Sequence, residues 1–341
     1  MKCPPLSFPA QFHRNADNPS TNPDTNMTTF HFHPEIRRSS LFTIWTILAM
    51  STSAPVSAQE IMLKLGFQEG SQIVMQMTNR MEMSMPGGFS SQVVDQTVRM
   101  RQTVQSVDLS GDATLMVTTE HMRMEGIGPA GNQLYDSDTG DIPTDPAILG
   151  AAAMVGQSYS MVVGPDGTVK SVQGIEELVE AMRTSFPPEA APMLDEMFNA
   201  DILIEIAQQG IQILPTDRVS PGDSWQTSST MPNPLLGEVT NNLTFVLDQV
   251  EERDGKTVAL LSSTGEIVAD APDGLEGLPM EMDVDAEMTG SLIFELDRGL
   301  VLSSITTNKM TMTMSGPDGA SMTMPMTTVT SLELVEYIPG G

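Results

Sequence analysis

Lys309-Met310-Thr311-Met312-Thr313-Met314 and Ser321-Met322-Thr323-Met324-Pro325-Met326 decide the fold class. Met alternates with a polar residue or Pro in both runs. Alternate residues of extended chain share a face, so each run reads as a strand with thioethers on one side. The runs are symmetric about Asp318. A hairpin with Ser315 to Ser321 as its loop sets Met314 opposite Met322, Met312 opposite Met324 and Met310 opposite Met326. All six sulfurs then line one face. Pro325 points the other way, lacks an N–H, and belongs on an edge strand or at a bulge.

The same period recurs outward from this hairpin. Val94, Gln96, Val98 and Met100 alternate with Asp95, Thr97, Arg99 and Arg101, which argues a strand over Val93 to Leu109. Another strand, Ala113 to Met124, follows the turn Ser110-Gly111-Asp112. Tyr159–Val163 and Thr168–Val172 flank Gly164-Pro165-Asp166-Gly167 as a hairpin. Between them, Gly126 to Gly156 is broken by Gly, Pro and Asp and reads as a long surface connection with a helical turn at Ile148–Met154. The period then changes. Ile175, Leu178, Val179 and Met182 are spaced for a helix. Pro187-Pro188-Glu189 opens a second, with Met193, Leu194, Met197 and Phe198 on one face, and Ile202 to Leu214 reads as helix. Val219 to Trp225 is a turn leading into a strand. Further strands are Asn242–Val250, Lys256–Val268, Met282–Leu296, Leu300–Met314 and Met322–Tyr337, with turns at Asp254-Gly255 and Asp297-Arg298-Gly299. The expectation is α+β: a mostly antiparallel curved β-sheet, half-barrel-like, in two halves (59–172 and 214–341) with a central helical segment (173–213). The order of turns in the first half is echoed in the second at different spacings, which duplication or the monotony of hairpins would both give.

Residues 1–58 are set apart as an N-terminal extension and signal peptide. Arg37-Arg38, the apolar run Leu41–Met50 and the small-residue end at Val56 and Ala58 describe a secretory signal cleaved near Ala58. The apolar run is too short for a bilayer span, which needs roughly 20 residues. The chain of 341 residues carries 44 acids against 16 bases; three and four of these precede Gln59, leaving 41 against 12. Such a surface repels phosphate backbones, so nucleic acid is excluded as a partner. The single Cys is Cys3, and of four His only His121 follows Ala58. A body without thiols has no disulfide, zinc–thiolate site or Cys nucleophile.

Twenty-five of the 28 Met lie after Ala58. Three readings of the Met face stand: core filling, since Met suits irregular gaps; a soft groove for an apolar ligand or partner; and Cu(I) binding by thioethers. His121 stands beside Met122 but alternates away from it, as a surface residue. A conventional triad would depend wholly on His121, and Gly-x-Ser-x-Gly and phosphate-loop motifs are absent. Carboxylates suffice in number for an acid pair, but one Trp after Ala58 is a poor sugar platform. Asp136-Ser137-Asp138-Thr139-Gly140-Asp141 looks like a calcium loop. It has Asp141 where an EF-hand needs Gly and Ala147 where it needs Glu, so it reads as a solvated acidic loop.

Several segments together resemble a bacterial family of secreted proteins catalogued as domain of unknown function 6263. They are Leu63-Lys64-Leu65 with Glu69-Gly70, Tyr135-Asp136-Ser137, Val155 to Tyr159, Val163 to Val169 with Val172-Gln173-Gly174, Val219 to Trp225, and Gly290-Ser291 leading to Phe294. The resemblance implies an exported, mostly antiparallel β protein and carries over no catalytic residue. The curved sheet around helices is also similar, in architecture alone, to the periplasmic lipoprotein carriers of the half-barrel type. The functional expectation is a non-enzymatic exported protein, periplasmic or extracellular. Its leading role is to bind an apolar ligand on Met310, Met312, Met314, Met322, Met324 and Met326, with no cofactor or metal. The alternatives are a structural or protein-interaction module of the cell envelope, and a carboxylate-dependent hydrolase.

Overall fold

The computed structural model describes residues 60–84, 91–128, 131–140, 146–185, 204, 213–233, 237–270, 281–316 and 321–341. The strands are β1 (Gln72–Met83), β2 (Gln92–Val107), β3 (Ala113–Gly128), β4 (Gly131–Asp136), β5 (Ser158–Val163), β6 (Val169–Gln173), β7 (Ser224–Asn233), β8 (Gly237–Arg253), β9 (Lys256–Asp270), β10 (Glu281–Glu295), β11 (Leu300–Ser315) and β12 (Ser321–Ile338). They form one open antiparallel sheet in the order β6-β5-β3-β2-β1-β12-β11-β10-β9-β8-β7, with β4 added to β3. The sheet is a meander whose first and last strands pair with each other, leaving β6 and β7 as edges. Among the described residues it is accompanied by α1 (Pro146–Ala153) and α2 (Ile175–Ser185). Of the helical segment expected over 173–213, α2 is the main described part. Met193, Leu194, Met197 and Phe198 lie outside the described residues, as does the signal-like segment before Gln59.

Three sequence readings are corrected. The span Gly126–Gly156 is not only a surface connection: β4 pairs Arg123↔Asp136 through Gly128↔Gly131 along the end of β3. Its first four side chains are exposed and only Tyr135 is buried, so the strand left no apolar alternation to read. Pro325 lies in β12, an internal strand. There β1 has run out, since the β1–β12 register ends at Met83↔Met326 and the Pro325 carbonyl accepts the Ser84 N–H at 3.1 Å. Pro is tolerated because it stands at the end of the β1–β12 ladder, one residue past its last register pair. His121, expected on the surface, is only 15% exposed and is partnered.

The core sits on one face of the sheet. Leu63, Leu214, Val219, Leu247, Leu261, Leu292 and Phe294 form one cluster, and Val104, Leu115, Val117, Met161 and Val163 another. Leu65 packs against both. It belongs to the segment before β1, which ties distant turns together. The Leu65 N–H donates to the Pro165 carbonyl at 2.7 Å, the Gly66 N–H donates to the Gly299 carbonyl at 3.0 Å, and Ile61 bridges to Val219. The Gly66–Gly299 contact demands glycine. A Cβ on Gly66 would strike the Arg298 carbonyl, and one on Gly299, at φ +64°, would strike the backbone of Gly66 and Lys64. The same face of the sheet receives α1, whose Ile148 and Ala152 pack on Val98, Met122 and Tyr135. Ile175 and Leu178 of α2 pack in turn on Ala153, Met154 and Tyr159.

Candidate functional site

Residues directly opposite in antiparallel pairs share a face, so the pairing traces rows across the inner surface. One row runs Leu247, Leu261, Leu292, Ser304, Leu332, Met77, Val98, Met122. The next runs Trp225, Phe245, Ser263, Gly290, Thr306, Thr330, Asn79, Gln96, Met124, Tyr135. A third runs Leu243, Gly265, Met288, Asn308, Thr328, Met81, Val94, Gly126. A fourth holds Ala286, Met310, Met326, Met83 and Gln92. The first row is almost wholly apolar, the second is aromatic at its β7–β8 end and polar in its middle, and the fourth begins the Met-rich end. No Asp, Glu, Lys, Arg or His occurs in any of the four. Charges on these strands take the alternate positions, where Arg80 pairs with Asp95 and Arg101 with Glu120.

A cavity of about 370 Å³ lies against these rows. Its lining comes from both ends of the sheet: Leu115 and Val163 from β3 and β5, Leu243, Phe245 and Leu261 from β8 and β9. Met75, Met100, Met288, Leu292 and Leu332 fill out the walls, and Leu65, Gly66 and Phe67 line it from the segment before β1. Its polar side chains are those of Gln102, Ser262, Ser263, Ser291, Ser304 and Thr306. The volume falls at the low end of ordinary ligand pockets, about 300–1,000 Å³. Trp225 stacks on Phe245 with centroids 5.8 Å apart and donates its indole N–H to the Ile213 carbonyl at 2.9 Å. That fixes the aromatic end of the second row.

The six methionines named from sequence are brought together in the expected register, Met310↔Met326, Met312↔Met324 and Met314↔Met322. They continue the cavity-facing side of β11 and β12 beyond the cavity itself. Met322 is 47% exposed, and Met310 packs near Val239, Ile267 and Ala286. On the other face the Thr313 and Thr323 hydroxyls approach to 3.4 Å. Met75, Met100 and Met288 line the cavity but stood out less in sequence, because each belongs to a strand that also reads as plain core.

A second polar cluster lies outside the cavity. His121 Nε2 is 3.0 Å from Asp136 Oδ1 and 3.6 Å from Asp138 Oδ2, while Nδ1 is buried without a partner. The backbone N–H of Asp138, and then His121, hold the Asp136 carboxyl below the usual range. These three side chains could approach a cation. Their visible work is to fix the 136–140 turn against β3: Asp136 accepts the Asp138 N–H at 3.0 Å, and its carbonyl accepts the Thr139 hydroxyl at 2.8 Å.

Comparison with solved structures returns distant likenesses. Lipovitellin, from a structure titled for its lipid–protein interactions, matches with a TM-score of 0.48 at 8% identity, over 81% of this chain and 26% of that one. The chain thus spans about a quarter of lipovitellin. DynF from the dynemicin biosynthesis pathway of Micromonospora chersina matches at a TM-score of 0.18 and 9% identity, over 82% and 86% of the two chains. A DUF1329 family protein from Desulfovibrio piger matches at 0.15 and 10%, over 77% and 86%. Scores this low carry nothing over to this chain. No curated protein matches it in sequence. In sequence, residues 110–301 match the model of a family of unknown function, and the chain belongs to that family, DUF6263.

Proposed function

We propose that this is an exported, non-enzymatic protein that holds an apolar molecule in the cavity on the inner face of its sheet. The observation that carries the reading is the cavity of about 370 Å³ whose walls are apolar and whose described lining residues include no ionisable side chain. A site without a carboxylate, His or Lys has no general acid or base, which favours binding over hydrolysis. The open antiparallel sheet fits the same reading, and so do the half-barrel curvature and the signal-like segment ending at Ala58 expected from the sequence. The Met-rich end of the β11–β12 hairpin extends this surface and gives it a deformable border.

Native mass spectrometry of protein purified from its host tests the proposal. A small apolar adduct is expected on the wild type. Emptied protein should take up Nile red, an uncharged dye, with a rise in its fluorescence. Ser304→Trp, which places an indole in the cavity from a half-buried lining position, should abolish both while leaving the circular dichroism unchanged. A wild-type mass always equal to the bare chain, with no dye uptake, would overturn the proposal.

A further inference from the structure

We infer that the cavity's occupant is uncharged and bears hydroxyl groups: a long-chain alcohol or an acylglycerol, not a free fatty acid. The inference rests on the binding role proposed above and specifies the chemistry of its ligand. Three observations carry it.

The first is the absence of charge. Among the described residues, the four inner rows and the cavity lining contain no Asp, Glu, Lys, Arg or His. A carboxylate drawn from water into such a surface meets no cation, and an unpaired buried charge is strongly disfavoured. The chain's formal net charge of −28 adds long-range repulsion against any anion.

The second is an inner surface divided by polarity. The row through Leu261, Leu292 and Leu332 is apolar, while the next two carry Thr306, Asn79 and Asn308 at their centre. A molecule lying across these rows needs an apolar body and a polar end, with that end toward the Met-rich border.

The third is a pair of unanswered acceptors. Asn79 Oδ1 and Asn308 Oδ1 are shielded from water and have no hydrogen-bond partner. Neither side chain lines the cavity itself, but Asn308 stands opposite Met288 and Asn79 shares a row with Thr306, and both of those do. Buried polar groups are almost always paired, so two such atoms on this face call for a donor from outside the chain. A hydroxyl donates and is uncharged. An ester or alkane offers no donor.

Calorimetric titration of the emptied, full-length protein at pH 8 with 1-monolaurin, methyl laurate and laurate separates the possibilities. Monolaurin should bind tightest. Methyl laurate should bind about tenfold more weakly, the worth of one buried hydrogen bond. Laurate should bind at least about a hundredfold more weakly, or not at all. Asn79→Leu with Asn308→Leu should bring monolaurin down to the affinity of methyl laurate and leave methyl laurate unchanged. Thermal melting checks the fold of that variant, which should be no less stable than the wild type when empty, because it lacks two unpaired acceptors. Laurate binding as well as monolaurin would overturn the claim of neutrality. Methyl laurate binding as well as monolaurin would overturn the claim of a hydroxyl. In either case the binding role survives. If none of the three binds and Nile red also fails, the binding role falls and this inference with it.

Discussion

The backbone N–H of Gly66 donates to the carbonyl of Gly299 at 3.0 Å, in a gap where neither residue has room for a side chain. This contact joins the segment before β1 to the β10–β11 turn, 233 residues away in sequence, and seats Leu63 in the core at 0% exposure. The segment lines the cavity, so its seating governs both stability and ligand retention. Gly66→Ala should destabilise by about 2–3 kcal/mol, the range of a forced backbone shift. Chemical denaturation would measure it. A cost within experimental error would mean that the segment is not held there.

The Glu295 side chain is 3% exposed and bonded by Arg298 at 2.6 and 2.5 Å, with Lys256 at 3.4 Å. Arg298 first, and then Lys256, hold the carboxyl below its usual range against the effect of burial. A depressed folded pKa means that the stabilisation is complete above the unfolded value, about 4.3, and is lost as pH falls through the lower folded value. Glu295→Gln should therefore cost about 2 kcal/mol at neutral pH, less than a fully buried pair because Arg298 is about a third exposed. The gap should stay flat down to about pH 5 and close in acid. Urea midpoints for both proteins from pH 7 to pH 3 give the comparison, and a gap that is constant throughout would refute the assignment.

Methionines on this one face differ in what they support. Met75 is 5% exposed and packs beside Ile73 and Leu300, so Met75→Ala should cost about 3 kcal/mol. Met312 and Met324 are half-buried at the hairpin's outer end. Met312→Ala should cost under about 1 kcal/mol, and the pair Met312→Asp and Met324→Asp should leave the protein folded. Equal losses at Met75 and Met312 would show the Met-rich end to be as much core as the cavity walls.

The Met register was legible to the residue because the two runs are palindromic about a short loop, and the symmetric pairing sets every thioether opposite another. The split of Val94, Gln96, Val98 and Met100 from Asp95, Arg99 and Arg101 likewise foretold inner and outer faces. The meeting of β1 with β12 was not legible, since no local pattern links Gln72 to Ile338. Without that pairing the cavity cannot be assembled on paper. Its walls come from residues on nine strands, each of which looks alone like ordinary core. β4 escaped because an exposed strand at the end of β3 has no apolar alternation to show. His121 was read as a surface residue because its partners lie on that unrecognised hairpin.

Gly290 stands between two residues that line the cavity. It sits on the inner face between Ser263 and Thr306. A Cβ there would come within 2.7 Å of Ser263 Oγ, 3.0 Å of the Ile305 carbonyl and 3.3 Å of Thr306 Oγ1. The two hydroxyls could turn aside, but the carbonyl belongs to a β ladder and cannot. Gly290→Ala should thus narrow the cavity at its polar row, lowering affinity for a neutral amphiphile several-fold and costing about 1 kcal/mol of stability. Gly126 is the control. It lies in the adjacent inner row with nothing within 4 Å of an added Cβ, and Gly126→Ala should leave binding unchanged. Titrating both variants with the same ligand distinguishes crowding at the cavity from a general effect of adding methyl groups to strands. Identical behaviour of the two would remove Gly290 from the site.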